Sequence, residues 1–125
     1  MNAPKDLKYT KNHEWIRIEG DTAVQGITDY AQSELSDIAF VELPDEGINV
    51  EKDNACGTIE AVKAVSEIYA AVSGGIIEVN SGIVDNPEII SDDPYGEGWL
   101  FKIKMSDPSE ADELMSADQY ISSIE

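Results

Sequence analysis

The run Trp99–Met105 closes on Phe101-Lys102-Ile103-Lys104-Met105, apolar and basic residues in strict turn. A period of two sends alternate side chains to opposite faces. A strand half-buried against a core satisfies that pattern and a helix does not. The pattern recurs along the first hundred residues. Glu14-Trp15-Ile16-Arg17-Ile18 alternates, Glu19-Gly20-Asp21 is a turn, and Thr22 to Ile27 is the returning strand of a hairpin. Asp37 to Leu43 is apolar and β-leaning, and Pro44-Asp45-Glu46-Gly47 ends it with a strong turn signal. Thr58–Val62 and Val65–Tyr69 are short runs on either side of Lys63-Ala64. Gly74-Gly75 then breaks the chain before a strand over Ile76–Val79.

Helical signals are fewer. Thr28 is placed to cap a short helix through Leu35. Asp107-Pro108-Ser109-Glu110 has a cap, a proline at the first helical position and an acid at the third, which predicts a helix through Leu114 or Met115. Ser116-Ala117-Asp118-Gln119 repeats the pattern and predicts a terminal helix to about Ile124, so that 108–125 forms a helical tail. Residues 1–12 are polar and expected to be loose at the start, 1–6 above all. Residues 80–98 form a long polar connection, of the kind that is functional or wraps a domain. A chain of 125 residues makes one domain by size. The expected fold over 1–125 is mainly β, a barrel or sandwich with short inserted helices and a C-terminal helix.

Charge narrows the partners. Eight Lys and Arg stand against 26 Asp and Glu, a formal net charge of −18. Duplex binding rests on neutralising phosphates with basic side chains, so no nucleic acid is expected. An anionic membrane surface is disfavoured for the same reason. No apolar run approaches the roughly 20 residues that cross a bilayer. The start, Met1-Asn2-Ala3-Pro4-Lys5-Asp6, lacks the apolar core of a secretory signal and the arginines of a transit peptide. A bacterial cytoplasmic protein is the expectation, or a mitochondrial matrix one if the chain is a processed eukaryotic form. Cys56 is the only cysteine, so no intrachain disulfide forms.

Most chemistries lack their residues. No phosphate-binding glycine loop, dinucleotide turn or nucleophile elbow is present. His13 is the only histidine and is expected in a surface or packing role; no metal site is expected. Asp92-Asp93 is expected in a solvated loop. Cys56 has no evident activating partner and is expected as a small buried apolar residue.

Lys63 stands apart. Between Lys52 and Lys102 it is the only basic residue, in a stretch with nine acids. A lysine between two short strands lies at a hairpin tip, its amine in solvent. Such an amine is open to acylation as a swinging arm, or is simply an exposed turn lysine. A Schiff base needs a desolvated amine of lowered pKa, the opposite of an acid-surrounded tip.

The segment Glu60-Ala61-Val62-Lys63-Ala64-Val65-Ser66-Glu67-Ile68-Tyr69-Ala70 resembles the lipoyl-attachment hairpin of the glycine cleavage system H protein family. Four further blocks agree. Tyr9-Thr10-Lys11-Asn12-His13-Glu14-Trp15 is similar to the family's N-terminal signature. So are Gly26-Ile27-Thr28-Asp29-Tyr30-Ala31-Gln32 and Asp37-Ile38-Ala39-Phe40-Val41-Glu42-Leu43-Pro44 to its next blocks, and Asp93-Pro94-Tyr95-Gly96-Glu97-Gly98-Trp99-Leu100 to its late loop and strand. The resemblance runs in order from about residue 7 to 124. It implies a lipoyl/biotinyl-type barrel-sandwich hybrid and lipoic acid in amide linkage to Lys63. It implies that Glu60 and Gly74 help a lipoylating enzyme recognise the hairpin; an outward strand residue and a turn glycine are the plainer readings of these two. It implies a non-catalytic carrier that takes the aminomethyl group of glycine from glycine decarboxylase to an aminomethyltransferase, with dihydrolipoamide dehydrogenase reoxidising the arm. The alternative within the fold is an H-like protein relaying lipoyl groups to 2-oxoacid dehydrogenases. Ala61, Ala71 and Gly75 stand where the family usually has Ser, Pro and an acidic or polar residue. Val62 and Ala64 flank the lysine where biotin domains place Met.

Overall fold

The computed structural model describes residues 3–124. Two antiparallel sheets carry the fold. Strands β1 (Lys8–Tyr9), β2 (Glu14–Glu19), β3 (Thr22–Ile27), β5 (Asn49–Val50), β8 (Gly74–Val79) and β9 (Phe101–Met105) form the larger, in the order β1-β2-β3-β9-β8-β5. Strands β4 (Ile38–Glu42), β6 (Ala55–Ala61) and β7 (Val65–Tyr69) form the smaller, in the order β4-β6-β7. Helix α1 (Asp29–Leu35) joins β3 to β4, α2 (Ser81–Asp85) and α3 (Glu88–Asp92) precede β9, and α4 (Ala117–Ile124) ends the described chain. The architecture is mainly β with inserted helices and a C-terminal helix, as the alternating runs predict. None of these helices is long and apolar enough to cross a membrane.

The alternation works as a register. Ile103 pairs with Ala23 on one side and Ile76 on the other, and all three are buried. Lys102 and Lys104 point the other way, Lys102 close to Glu78 at 3.4 Å. Ile16, Ile59, Ile68, Ile76 and Phe101 fill the space between the sheets. A second cluster, Leu7, Tyr9, Trp15, Val24, Ala117 and Tyr120, closes the outer face of β2 and β3. Full burial of one such side chain contributes about 1.5–3 kcal/mol. Trp15 lies across Gly26, its register partner; a Cβ there would sit 2.5 Å from the indole, so only glycine leaves room for the ring.

Several expectations need correction. The stretch 1–12, read as polar, is packed beyond the start expected to be loose. Met1 and Asn2 lie outside the described residues, but Leu7, Tyr9 and Thr10 are buried, and Tyr9 exchanges backbone hydrogen bonds with Met115. Gly74-Gly75 does not break the chain: both residues lie in β8, paired with Met105 and Lys104. The predicted helix from Pro108 is a 3₁₀ helix over Pro108–Glu113. Asp107 does cap it, accepting the Ser109 amide, but Glu110 does not complete a capping box. Its carboxylate accepts instead from the amide and hydroxyl of Ser73 at 2.8 and 3.0 Å. At Ser116 the box does form. The Gln119 amide donates to Ser116 Oγ at 3.2 Å, and Gln119 Oε1 accepts the Ser116 amide at 2.9 Å.

The polar connection 80–98 wraps the molecule through α2 and α3, which insert Ile83 and Ile90 into the core. Its later part is pinned over β2: Trp15 Nε1 donates to the Pro94 carbonyl at 2.9 Å and Arg17 to that of Tyr95 at 2.8 Å. Asp92 ends α3, exposed. Asp93 organises the next turn, its carboxylate accepting the Glu97 amide at 2.9 Å.

Candidate functional site

The hairpin β6–β7 is built to present its tip. Ile59 and Ile68 anchor its inner face, each 1 % exposed. Glu60 opposes Phe40 on β4 and Val65 on β7, and these three side chains share the outer face. The Ala61 amide donates to the Ala64 carbonyl at 2.7 Å, leaving Val62 and Lys63 as the two loop residues. The Val62 amide donates to the Asp37 carbonyl at 3.2 Å, tying the tip to the start of β4. Val62 and Val65 are 71 % and 67 % exposed. Lys63 is exposed and makes no hydrogen bond or ion pair among the described residues. Apolar neighbours and a free amine at a fixed tip leave the nitrogen open to acylation from solvent.

The base of the hairpin is held by side chains from the larger sheet. The Tyr69 amide donates to Glu14 Oε2 at 2.7 Å. Gln25 is fully buried and clamps the next turn: its Nε2 donates to the Tyr69 carbonyl at 2.7 Å, and its Oε1 accepts the Ala71 amide at 2.9 Å. These bonds replace the strand partner that β7 lacks on its outer edge.

A cavity of about 300 Å³ opens between the hairpin, α1 and the start of β2. Ser66, Glu67 and Ile68 line it from β7, with Ile59 behind them. Tyr30, Glu34 and Leu35 come from α1, and Asn12, His13 and Glu14 from the β1–β2 side. Ser66 is three residues beyond Lys63, roughly 10 Å along the strand. Glu14 is the distinctive group, a carboxyl only 2 % exposed. Burial pushes its pKa up to about 8, against the pull of its bonds from the Tyr69 amide and the Thr10 hydroxyl. Sequence patterning places Glu14 in a strand but gives no sign of this role, because its partner Tyr69 lies 55 residues away.

The other expected residues separate. Glu60 is on the exposed outer face near the tip. Gly74 is in the other sheet, lining a shallow groove with Asn49 and Ser73. Its φ is +155°, and a Cβ there would collide with the Lys104 carbonyl and lie 2.8 Å from Ile103 Cγ2. Backbone packing alone therefore requires glycine at 74. Cys56 is half-buried against the core, and burial pushes its thiol up to about 12, so it is protonated at neutral pH. His13 lines the cavity and packs on Tyr30 with ring centroids 4.8 Å apart.

Comparison with known proteins agrees with this arrangement. Residues 7–125 match the Glycine cleavage H-protein family. The chain is 50 % identical to the glycine cleavage system H protein of Staphylococcus carnosus over 120 residues, 96 % of this chain and 95 % of that one. It is 52 % identical to the probable glycine cleavage system H protein of Aeropyrum pernix over 120 residues, covering 96 % of this chain and 84 % of that one. The crystal structure of a glycine cleavage system H protein from Mycobacterium marinum superposes with a TM-score of 0.91 at 40 % identity, covering 98 % of each chain. Fold, hairpin and sequence converge, and the chain belongs to the glycine cleavage H-protein family.

Proposed function

We propose that the chain is the lipoyl carrier of a glycine cleavage system, with lipoic acid in amide linkage to Lys63 Nζ. The observation that carries this reading is Lys63 as an exposed amine without a described partner on a two-residue tip, whose hairpin lines a cavity three residues further along β7. The lipoyl group supplies a disulfide that accepts a one-carbon unit and is later reoxidised. The protein supplies position, keeping the transferred unit local to each partner in turn. No residue of the chain need perform chemistry, and a carrier subunit without catalysis of its own is the role we assign it.

The cavity residues suit a sheltered amine cargo. Ile27, Leu35, Ile59 and Ile68 offer apolar wall to a hydrocarbon arm. Glu14, Glu34 and Glu67 bring carboxyl groups to the cavity. Glu14 is half-deprotonated only near its pKa of about 8. An entering ammonium favours the carboxylate form, so loading releases a proton near neutral pH. Glycine decarboxylase, an aminomethyltransferase, dihydrolipoamide dehydrogenase and a lipoylating enzyme are the partners this role requires. Glu60 is exposed at the tip, where a lipoylating enzyme would read it. Gly74 helps such an enzyme, if at all, by holding its backbone.

The test is exchange of labelled bicarbonate into the carboxyl of glycine by glycine decarboxylase. The lipoylated chain is expected to support exchange, and Lys63→Arg is not. A lipoylated chain that supports no exchange yet passes its lipoyl group to a 2-oxoacid dehydrogenase would overturn the reading in favour of lipoyl relay.

A further inference from the structure

We propose that Thr28 and Tyr120 hold His13 as a neutral imidazole with its proton on Nε2, so that this ring offers the cavity a hydrogen-bond donor and no basic lone pair. Three bonds run in series. The Ala31 amide donates to Thr28 Oγ1 at 3.2 Å, Thr28 Oγ1 and Tyr120 Oη lie 2.7 Å apart, and Tyr120 Oη lies 2.9 Å from His13 Nδ1. Thr28 and Tyr120 are both 0 % exposed, so water does not complete their bonding. Two hydroxyl protons must serve two links. With Thr28 donating to Tyr120 and Tyr120 donating to Nδ1, every proton has an acceptor. With a proton on Nδ1, the ring donates to Tyr120, Tyr120 donates to Thr28, and the buried Thr28 hydroxyl has no acceptor among the described residues. A buried donor left unpaired is the costly outcome, so the first arrangement holds.

Main-chain bonds and ring contacts hold the residue beside this bond. The His13 backbone has φ +65°, its amide donates to the Thr10 carbonyl, and its carbonyl accepts the Thr28 amide at 3.0 Å. Tyr30 covers one face, and the Tyr120 ring meets its edge at 5.7 Å. With Nδ1 directed to α4, the opposite edge of the ring is what His13 gives to the cavity it lines. Titratable groups surround it: Tyr30 and Glu34 on α1, Glu14 on β2, Glu67 on β7 and Tyr120 on α4. Glu34 favours the imidazolium, but desolvation outweighs it and lowers the pKa, in agreement with a capped lone pair.

The consequence rests on the carrier reading; the tautomer does not. In a cavity that shelters a cargo, a histidine with a free lone pair would activate water. Capping Nδ1 from the C-terminal helix removes that base and leaves Nε2–H to hold an acceptor atom of the arm. His13 is then a positioning donor, and Tyr120 positions it.

His13 is the only histidine, so nitrogen–proton correlation spectra of the unlipoylated protein report one ring. The expected parent spectrum is the Nε2–H tautomer, with the ring neutral at pH 6.5 and titrating below that value. Tyr120→Phe is expected to mix the tautomers and raise the pKa toward 6.5, while Thr28→Ser keeps the parent spectrum. An Nδ1–H tautomer in the parent, which needs no variant, overturns the proposal. So does an unchanged ring in folded Tyr120→Phe. On lipoylated protein carrying its cargo, Tyr120→Phe is expected to lose the cargo on the order of tenfold faster. An unchanged lifetime with the expected spectra would overturn the protective role, while the bicarbonate exchange above tests the carrier reading separately.

Discussion

Glu14 concentrates more of the site's physics than any other side chain, and its titration is measurable. Its ordinary pKa is 4.5 and burial raises it to about 8. An unfolded chain gives up this proton near 4.5, whereas the folded chain keeps it to about 8. The group's contribution to stability is therefore fully present below 4.5 and is lost as pH rises to 8. Glu14→Gln keeps the shape of the protonated acid. Its Oε1 is able to accept the Tyr69 amide, as the acid does. Denaturant midpoints measured from pH 4.5 to 8 are expected to fall less with pH in Glu14→Gln than in the parent; parallel curves would contradict the raised pKa. Glu60 and Gly74 separate in a similar way. Gly74→Ala is expected to cost roughly 3 kcal/mol in chemical denaturation, from positive φ and backbone collision. Glu60→Ala, exposed, is expected to stay within about 0.5 kcal/mol of the parent. A lipoylation rate that falls in Glu60→Ala at full folding marks recognition, and an unchanged rate removes Glu60 from that role. Lys63 stands out in the sequence because isolation in an acidic stretch is a local property, and the resemblance alone names it as an attachment site. Glu14 and His13 were not, since Tyr69 and Tyr120 lie 55 and 107 residues away from them.

At the scale of elements, period two was a dependable guide in β9, whose burial alternates, whereas β2 and β3 are buried on both faces because the second cluster covers their outer side. It fails for short pieces. Strand β5 has two residues, and α2 and α3 have five each, too few to show a period. Neither of these helices has a side-chain bond at its N-cap, so no capping signal announces them. The two capping patterns in the tail divide for a physical reason. Glu110 is drawn away by Ser73, 37 residues distant, and the following turn tightens to 3₁₀. Gln119 has no such competitor and closes the box on Ser116. Ser116→Ala is accordingly expected to lower stability by about 1 kcal/mol in chemical denaturation. Because α4 carries Tyr120, stacked on Tyr9 at 4.8 Å, the loss should appear in the global transition. A separate fraying of the tail would show that α4 is not coupled to the core.

For the whole molecule, the two-sheet frame explains how an isolated lysine becomes a usable one. The larger sheet holds the base of the β6–β7 hairpin through Glu14 and Gln25, and the tip stands clear. Lys63 is the only basic residue between Lys52 and Lys102, so acylating it would remove the one positive charge of that stretch. On the carrier reading, docking of this −18 chain on basic partner faces is expected to weaken as salt rises. The mainly β architecture was legible as patterns spread along the chain, and the family as a resemblance carried by several separate blocks. The cavity was not, because three separated segments build it. The central claim is the attachment of the arm to Lys63, and the direct measurement is intact mass after incubation with lipoate, ATP and an active lipoyl ligase. The parent is expected to gain the mass of one lipoyl group and Lys63→Arg to gain none, with both equally folded. A parent that stays unmodified, or a Lys63→Arg chain that still gains the group, would contradict the account.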